Sequence, residues 1–340
     1  MINTPVIVLP DEAGVRLDRW FRRHFPQATH SQIEKLLRTG QIRVDGKRAK
    51  ASLRLEPGQK IRVPPAIAKA GQSPAAMPNP AAKQQLQQWV IYEDSDVLIL
   101  NKPPGLAVQG GTGQKRHLDA MLDSWHDKDG VRPKLVHRLD RDTSGVLVLA
   151  KNVFAAAKLA ASFRARDTRK IYWAVTIGAP KPQRGRIDLA LKKADTAMTG
   201  VKDDDPEAKP AATLYAVLEP AGKQAALVAL WPLTGRTHQL RVHLQAIGTP
   251  ILGDPLYKPA PRTDGSSEAH WPQDEIYEGL HLHAHRLMIP HPRGGMIDAI
   301  APVPPALQRS FRWFNFSDSH SDPFPEGVDD DRKRVRKKKR

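Results

Sequence analysis

The segment 135–151, LVHRLDRDTSGVLVLAK, constrains the fold more than any other stretch of the chain. Its apolar ends, Leu135-Val136 and Val146 to Ala150, read as strand ends, because β-branched and apolar side chains suit a pleated, buried surface. Between them Asp142-Thr143-Ser144-Gly145 favours a turn. A buried scaffold therefore presents a polar turn in which Asp140 and Asp142 lie among Arg138 and Arg141. A carboxylate that is partly desolvated but close to guanidinium groups stays ionised, which suits a nucleophile or a base. The same residues also make a structural ion pair that closes a turn, and spacing alone favours that plainer reading.

At 340 residues the chain can build one large domain and one small one. It has no cysteine, which excludes disulfides, thiolate metal sites and cysteine nucleophiles and fits a reducing compartment. No apolar run approaches the roughly 18 residues a membrane span needs. The N-terminus, MINTPVIVLPDEAG, lacks the basic and apolar regions of an export signal, so a cytoplasmic protein is expected. The net charge of +17 is unevenly spread: residues 14–63 hold 13 basic and 4 acidic side chains, and 332–340 hold 8 basic ones. Residues 89–331 balance at 30 of each sign. A neutral body with basic ends suits a polyanionic partner.

Residues 14–63 read as a small basic α/β domain. Leu17, Trp20, Phe21 and Phe25 share one helical face, with Arg16, Arg19, Arg22 and Arg23 largely elsewhere. A second helix is expected to start at Ser31, with Glu34 completing a capping box and Gly40 ending it. Gln41 to Val44 reads as a strand and Asp45-Gly46 as a tight turn. Residues 64–88, rich in Pro, Ala and Gln, read as a flexible linker, and 317–340 as a disordered basic tail.

Within 89–316, strands are expected on both sides of the turn 93–96, over Ile171 to Ile177 and over Ala225 to Leu230, with a helix over Val153 to Arg164. Thr237 is a plausible N-cap for a helix that stops at Gly248. Lys102 is positioned to touch phosphate, although a lone lysine is more often only solvated. Gly110 to Lys115 lacks the spacing of a phosphate-binding loop and reads as a mobile loop, and residues 192–212 read as a surface hairpin or disordered insertion. His238 and His243 are spaced poorly for one metal, and His281, His283 and His285 alternate along a strand about 6.6 Å apart, which favours hydrogen-bonded core histidines.

HRLDRDTSG resembles the active-site motif of RNA pseudouridine synthases, in the branch that modifies ribosomal and transfer RNA. The resemblance makes Asp140 the catalytic residue. Lys170-Ile171-Tyr172 is similar to the family's Lys-x-Tyr, which makes Tyr172 the ring that stacks on the base and assists proton transfer. LTGRTHQLRVH resembles the family's third motif, whose arginine forms a salt bridge with the catalytic aspartate; Arg236 is the expected partner and Arg241 the alternative. Arginine suits this role because its planar fork binds a carboxylate bidentately and keeps its charge.

The helices and strands of 14–63 resemble an S-four-type RNA-binding module, named after a small-subunit ribosomal protein. The implied fold is α+β, with a mixed, largely antiparallel sheet behind that module. Arg138 is expected to fill the stack vacated by a flipped uridine. Arg241, Lys102, Arg16, Arg19, Lys35, Arg38 and Arg43 are further candidates for RNA contact. Where the family usually has a glycine before Lys209, this chain has Ala208.

The resemblance implies isomerisation of uridines in large-subunit ribosomal RNA, free or in a pre-ribosomal particle, by a monomer without metal or cofactor. The alternatives are an assembly factor with little catalysis and a synthase of transfer RNA. A glycoside hydrolase is disfavoured, because carboxylates two residues apart in one turn are poorly placed to flank a glycosidic bond.

Overall fold

The computed structural model describes residues 5–25, 28, 30–68, 80–110, 116–126, 131–165, 167–194, 197–201, 205–259, 271–272 and 274–324. The glycine-rich stretch 111–115, Asp203-Asp204, the Ser31 side chain and the basic run 332–340 lie outside what is described.

In the N-terminal unit, Leu17–His24 and His30–Arg38 are helices, the second beginning one residue before the expected start. Leu17, Trp20, Phe21 and Phe25 are all buried, with Ile33 and Leu37 packed into the same core. Asp45 and Gly46 both take positive φ (48° and 75°), the conformation a two-residue hairpin between Arg43–Val44 and Lys47–Arg48 demands. The unit touches the body where Lys134 Nζ donates to the Ala13 carbonyl and Arg23 pairs with Asp123.

The body is built on one ten-stranded mixed sheet. Its main path runs Arg184–Asp188, Ala212–Ala221, Ala225–Pro232, Arg169–Ile177, Leu282–Pro290, Ser144–Ala150, Val97–Lys102 and Val90–Glu93. Met296–Ile300 pairs with Leu282–Pro290, and Lys134–Leu135 with Ser144–Ala150. Among the described residues every strand pairing within this sheet is antiparallel except that of Leu282–Pro290 with Ser144–Ala150. The parallel contact is confined to Ser144 and Gly145, where the two halves of the sheet meet. Gly145 sits at φ 109°, and a Cβ there would lie 2.2 Å from the Ala284 carbonyl oxygen, so only glycine lets these strands approach.

Alternation along Arg169–Ile177 divides the core. Ile171, Trp173 and Val175 face a cluster with Leu307 and Phe311 of the helix Pro305–Phe314. Tyr172 and Ala174 face the opposite side, where Leu240 and Leu244 of the helix Gln239–Ala246 pack.

Two boundaries differ from the sequence-based expectation. Pro80–Gln88, placed in the flexible linker, is a helix whose buried Ala82 and Leu86 pack with Leu98, Leu122 and Trp125. The assignment of 317–324 to a disordered tail is likewise corrected. Asp322 pairs with Arg169 at 2.7 Å, His320 pairs with Glu219, and buried Phe324 packs beside Trp231. Polar, proline-bearing sequence looks like linker until a few well-spaced apolar residues find a groove. Residues 192–212 do form a hairpin at their start, Ala190–Lys193 against Met198–Val201.

Candidate active site

The turn after Leu135 leaves the sheet where its two halves diverge. That divergence strands the Val148 N–H, which donates to His137 Nε2 at 2.8 Å. Burial, reinforced by the Lys170 charge, lowers the His137 pKa to about 3, so the ring stays neutral and accepts. It also stacks on Phe163, with ring centroids 4.3 Å apart. Three residues on, Asp140 keeps 29% of its side chain exposed at the edge of a cleft of about 600 Å³. Arg138 is exposed on the same rim.

Tyr172 lies on the cleft floor, its phenol pKa raised by burial and by the Asp140 charge. Arg164, Lys170, Arg236, Arg241 and His238 add positive or titratable groups to the walls. A cleft of this size with one carboxylate among several cations suits a nucleotide held by its phosphates.

The third motif supplies the far wall. Gln239 knits it to the sheet, donating through Nε2 to the Ala212 carbonyl and Thr213 Oγ1 and accepting from Thr234 Oγ1 at 2.6 Å. Arg241 is buried and forks onto Asp254 with two bonds of 2.6 Å, its guanidinium 4.9 Å from the Tyr257 ring centre. Burial works to lower its pKa, but the Asp254 hydrogen bonds and charge, with a smaller contribution from Asp140, raise it. Asp254 and Tyr257 escaped the sequence reading; the available signal was GDPLY, a glycine turn followed by a buried acid. The helix starts after His238, which takes the N-cap position expected of Thr237.

A family model described as RNA pseudouridylate synthase matches residues 96–246, and one for the S4 domain matches 15–61. A ribosomal large subunit pseudouridine synthase C of Vibrio cholerae is 36% identical over 289 residues, 83% of this chain and 87% of its own length. One of the same description from Rickettsia bellii is 36% identical over 262 residues, 74% of this chain and 85% of its own. The solved structure of human RNA pseudouridylate synthase domain containing 4 superposes with a TM-score of 0.57 at 29% identity, covering 69% of this chain and 95% of that one. The chain belongs to the RNA pseudouridylate synthase family. It is an isomerase acting on RNA, with an S4 domain at its N-terminal end.

Within this synthase two expected contacts are corrected. Arg236 does not pair with Asp140; its Nε donates to the Pro210 carbonyl at 3.3 Å, because the turn before the helix carries it to the outer rim. Arg241, five residues on, lines the same cleft as the aspartate but forks onto Asp254. Lys102 cannot touch RNA phosphate, being fully buried with Nζ donating to the carbonyls of Pro103, Leu106 and Arg141. Burial lowers its pKa to about 7 against the pull of Asp142 and Asp140, and its three bonds tie the NKPPG turn to the turn that carries Asp140.

In the S4 domain, Arg19, Lys35 and Arg38 are exposed, the last two beside Arg48 and Lys50 in a shallow groove. Arg16 forks onto Asp18, and Arg43 braces the carbonyls of Gly40 and Gly46. Both are engaged within the fold.

His243, His281, His283 and His285 are held within the fold. His281 bonds the Leu252 carbonyl and Ser310 Oγ, His283 bonds Ser144 Oγ and the Ala301 carbonyl, and His285 stacks on Trp173 at 3.6 Å. His243 Nε2 turns away from the cleft to the Leu189 carbonyl. Among the described residues, Asp94, Asp96 and His291 come closest to the spacing of a metal site. Their oxygens already accept from Tyr92, His291, Arg293, Asn152 and backbone N–H groups, which makes the cluster a brace for the turn 94–96.

Proposed function

We propose that this synthase converts specific uridines of large-subunit ribosomal RNA to pseudouridine, with Asp140 as the catalytic carboxylate. One observation carries the reading: Asp140 stands at the mouth of a cation-lined cleft with Tyr172 on its floor. The names of the Vibrio and Rickettsia relatives support ribosomal RNA as the substrate class.

The overall reaction breaks the C1′–N1 bond and forms C1′–C5; the hydrogen on C5 is lost and N1 gains one, so no atom is added or removed. Asp140 acts on the nucleoside as nucleophile or base. Arg241, anchored by Asp254, supplies the positive charge behind it, and Tyr172 stacks on the uracil and helps move the proton at the sugar. The base must leave its helix, at a cost of a few kcal/mol that is smallest in loops. Arg138, exposed beside Asp140, fills the vacated stack, while Arg19, Lys35 and Arg38 hold flanking phosphates. The protein works as a cytoplasmic monomer on free RNA or an assembling particle.

The test maps pseudouridines in ribosomal and transfer RNA from a deletion strain complemented with wild type or Asp140→Asn. Specific large-subunit signals that vanish on deletion and return only with wild type support both reaction and substrate. Restoration by Asp140→Asn removes the assigned role of Asp140, and a change confined to transfer RNA moves the substrate.

A further inference from the structure

Three non-glycine residues among those described have positive φ: Asp45, Asn315 and His238. Asp45 sits in a hairpin turn and Asn315 caps the end of the helix Pro305–Phe314, both places where the left-handed conformation is ordinary. His238, at φ 52°, opens a helix, where extended backbone is the rule. A side chain held left-handed against its preference points to a constraint on where that side chain goes.

It goes into the cleft. His238 Nε2 lies 4.0 Å from Asp140 Oδ2, and no nitrogen of another Lys, Arg or His side chain among the described residues comes that close to the carboxylate. On the other side of the ring, Nδ1 lies 2.9 Å from Tyr257 Oη. The Met198 N–H donates to the same oxygen at 2.9 Å. With the Met198 N–H on one lone pair of Oη, the phenol hydrogen is free to point at Nδ1. That arrangement places the imidazole hydrogen on Nε2, facing Asp140.

The charged and titratable groups around the ring are Asp140 and Arg138 from the catalytic turn, Arg241 from its own helix, and Asp254 and Tyr257 from the segment after it. Burial is the largest influence and lowers the His238 pKa, which favours the neutral ring.

We propose that His238 is a positioning residue that orients the Asp140 carboxylate through Nε2–H, and that the hairpin Ala190–Val201 sets its tautomer through Met198 and Tyr257. The proposal rests on the reading of Asp140 as the catalytic carboxylate. It also gives the 190–201 hairpin a task beyond covering the surface. A chain of hydrogen bonds runs from the Met198 backbone through phenol and imidazole, and each member fixes the rotation of the next.

The test uses the full-length chain and an rRNA fragment containing its target uridine, in single-turnover assays with RNA binding measured in parallel. His238→Gly supplies the backbone conformation without the ring. We expect its rate to fall about 10- to 100-fold, the loss typical when an orienting partner is removed, with RNA affinity within about twofold of wild type. His238→Gln, whose amide N–H reaches the Nε2 position, recovers most of that rate. Nitrogen-resolved NMR of labelled histidine shows the Nε2–H tautomer in wild type and a mixture in Tyr257→Phe.

A His238→Gly enzyme at wild-type rate, a Gln variant no better than Gly, or an Nδ1–H tautomer in wild type each overturns the proposal. Asp140→Asn run alongside keeps the two readings apart. If it retains activity, the reading of Asp140 has failed; if it is dead while His238→Gly is unimpaired, only the role of His238 has.

Discussion

The two sides of the strand Arg169–Ile177 carry adjacent aromatic residues with opposite employment. Trp173 stacks on His285 and packs beside Phe311, with His320 against its edge, in a cluster that includes Phe324 and residues of the helix Pro305–Phe314. Tyr172, one residue earlier, faces a cleft where Asp140 and His238 stand 4.0 Å apart without closing a hydrogen bond. On the sealed side, polar groups such as His281 and His283 are saturated by backbone carbonyls and serines. On the open side, the Asp140 carboxylate is left short of partners while the groups behind it are tied down. Stability is concentrated where chemistry is absent, and the site draws its rigidity from the layer beneath.

Arg241 is where the two sides meet, and its loss has the largest expected effect. Arg241→Leu leaves Asp254 buried without its counter-ion and should cost about 3–5 kcal/mol of unfolding free energy by urea titration, together with most of the activity. Retention of both would mean that the Arg241–Asp254 pair supports neither side. Trp173→Ala should cost a similar 3–5 kcal/mol, but should leave the rate per folded molecule within about threefold of wild type. A collapse of that rate with the fold intact would break the division between the faces.

Acid gives a graded version of the same contrast. Burial holds His281, His283, His285 and His243 at about 4 and His137 at about 3, below the ordinary 6.5. The unfolded chain therefore binds more protons below pH 6.5, and stability falls as pH drops from about 6.5 toward 4, by on the order of 3 kcal/mol for each histidine at full protonation. Urea midpoints measured across that range should fall steadily; a flat profile down to pH 4.5 would show that these rings charge without cost. Smallest of all is Arg236→Ala, expected to change activity less than about threefold, since its guanidinium holds only the Pro210 carbonyl. A loss as large as that of Arg241→Leu would restore Arg236 as the partner of Asp140.

The local sequence determined a good deal. Apolar runs with β-branched residues marked the strands, Asp45-Gly46 marked its hairpin, and HRLDRDTSG with Lys170-Ile171-Tyr172 marked where one side of the site would form. These are short-range properties, decided by alternation, turn chemistry and helical periodicity. Which of two arginines five residues apart turns inward was decided by the left-handed residue between them and by Asp254, thirteen positions beyond Arg241. Lys102 could be read as solvated or phosphate-binding until the fold wrapped three carbonyls around it.

The helix Pro80–Gln88 and the ordered residues 317–324 were equally hidden. A few apolar anchors in polar sequence gain their energy only from a groove built by distant segments. The sequence determined which groups the cleft could contain; the tertiary structure alone decided which of them are desolvated together, and so which charges act on Asp140.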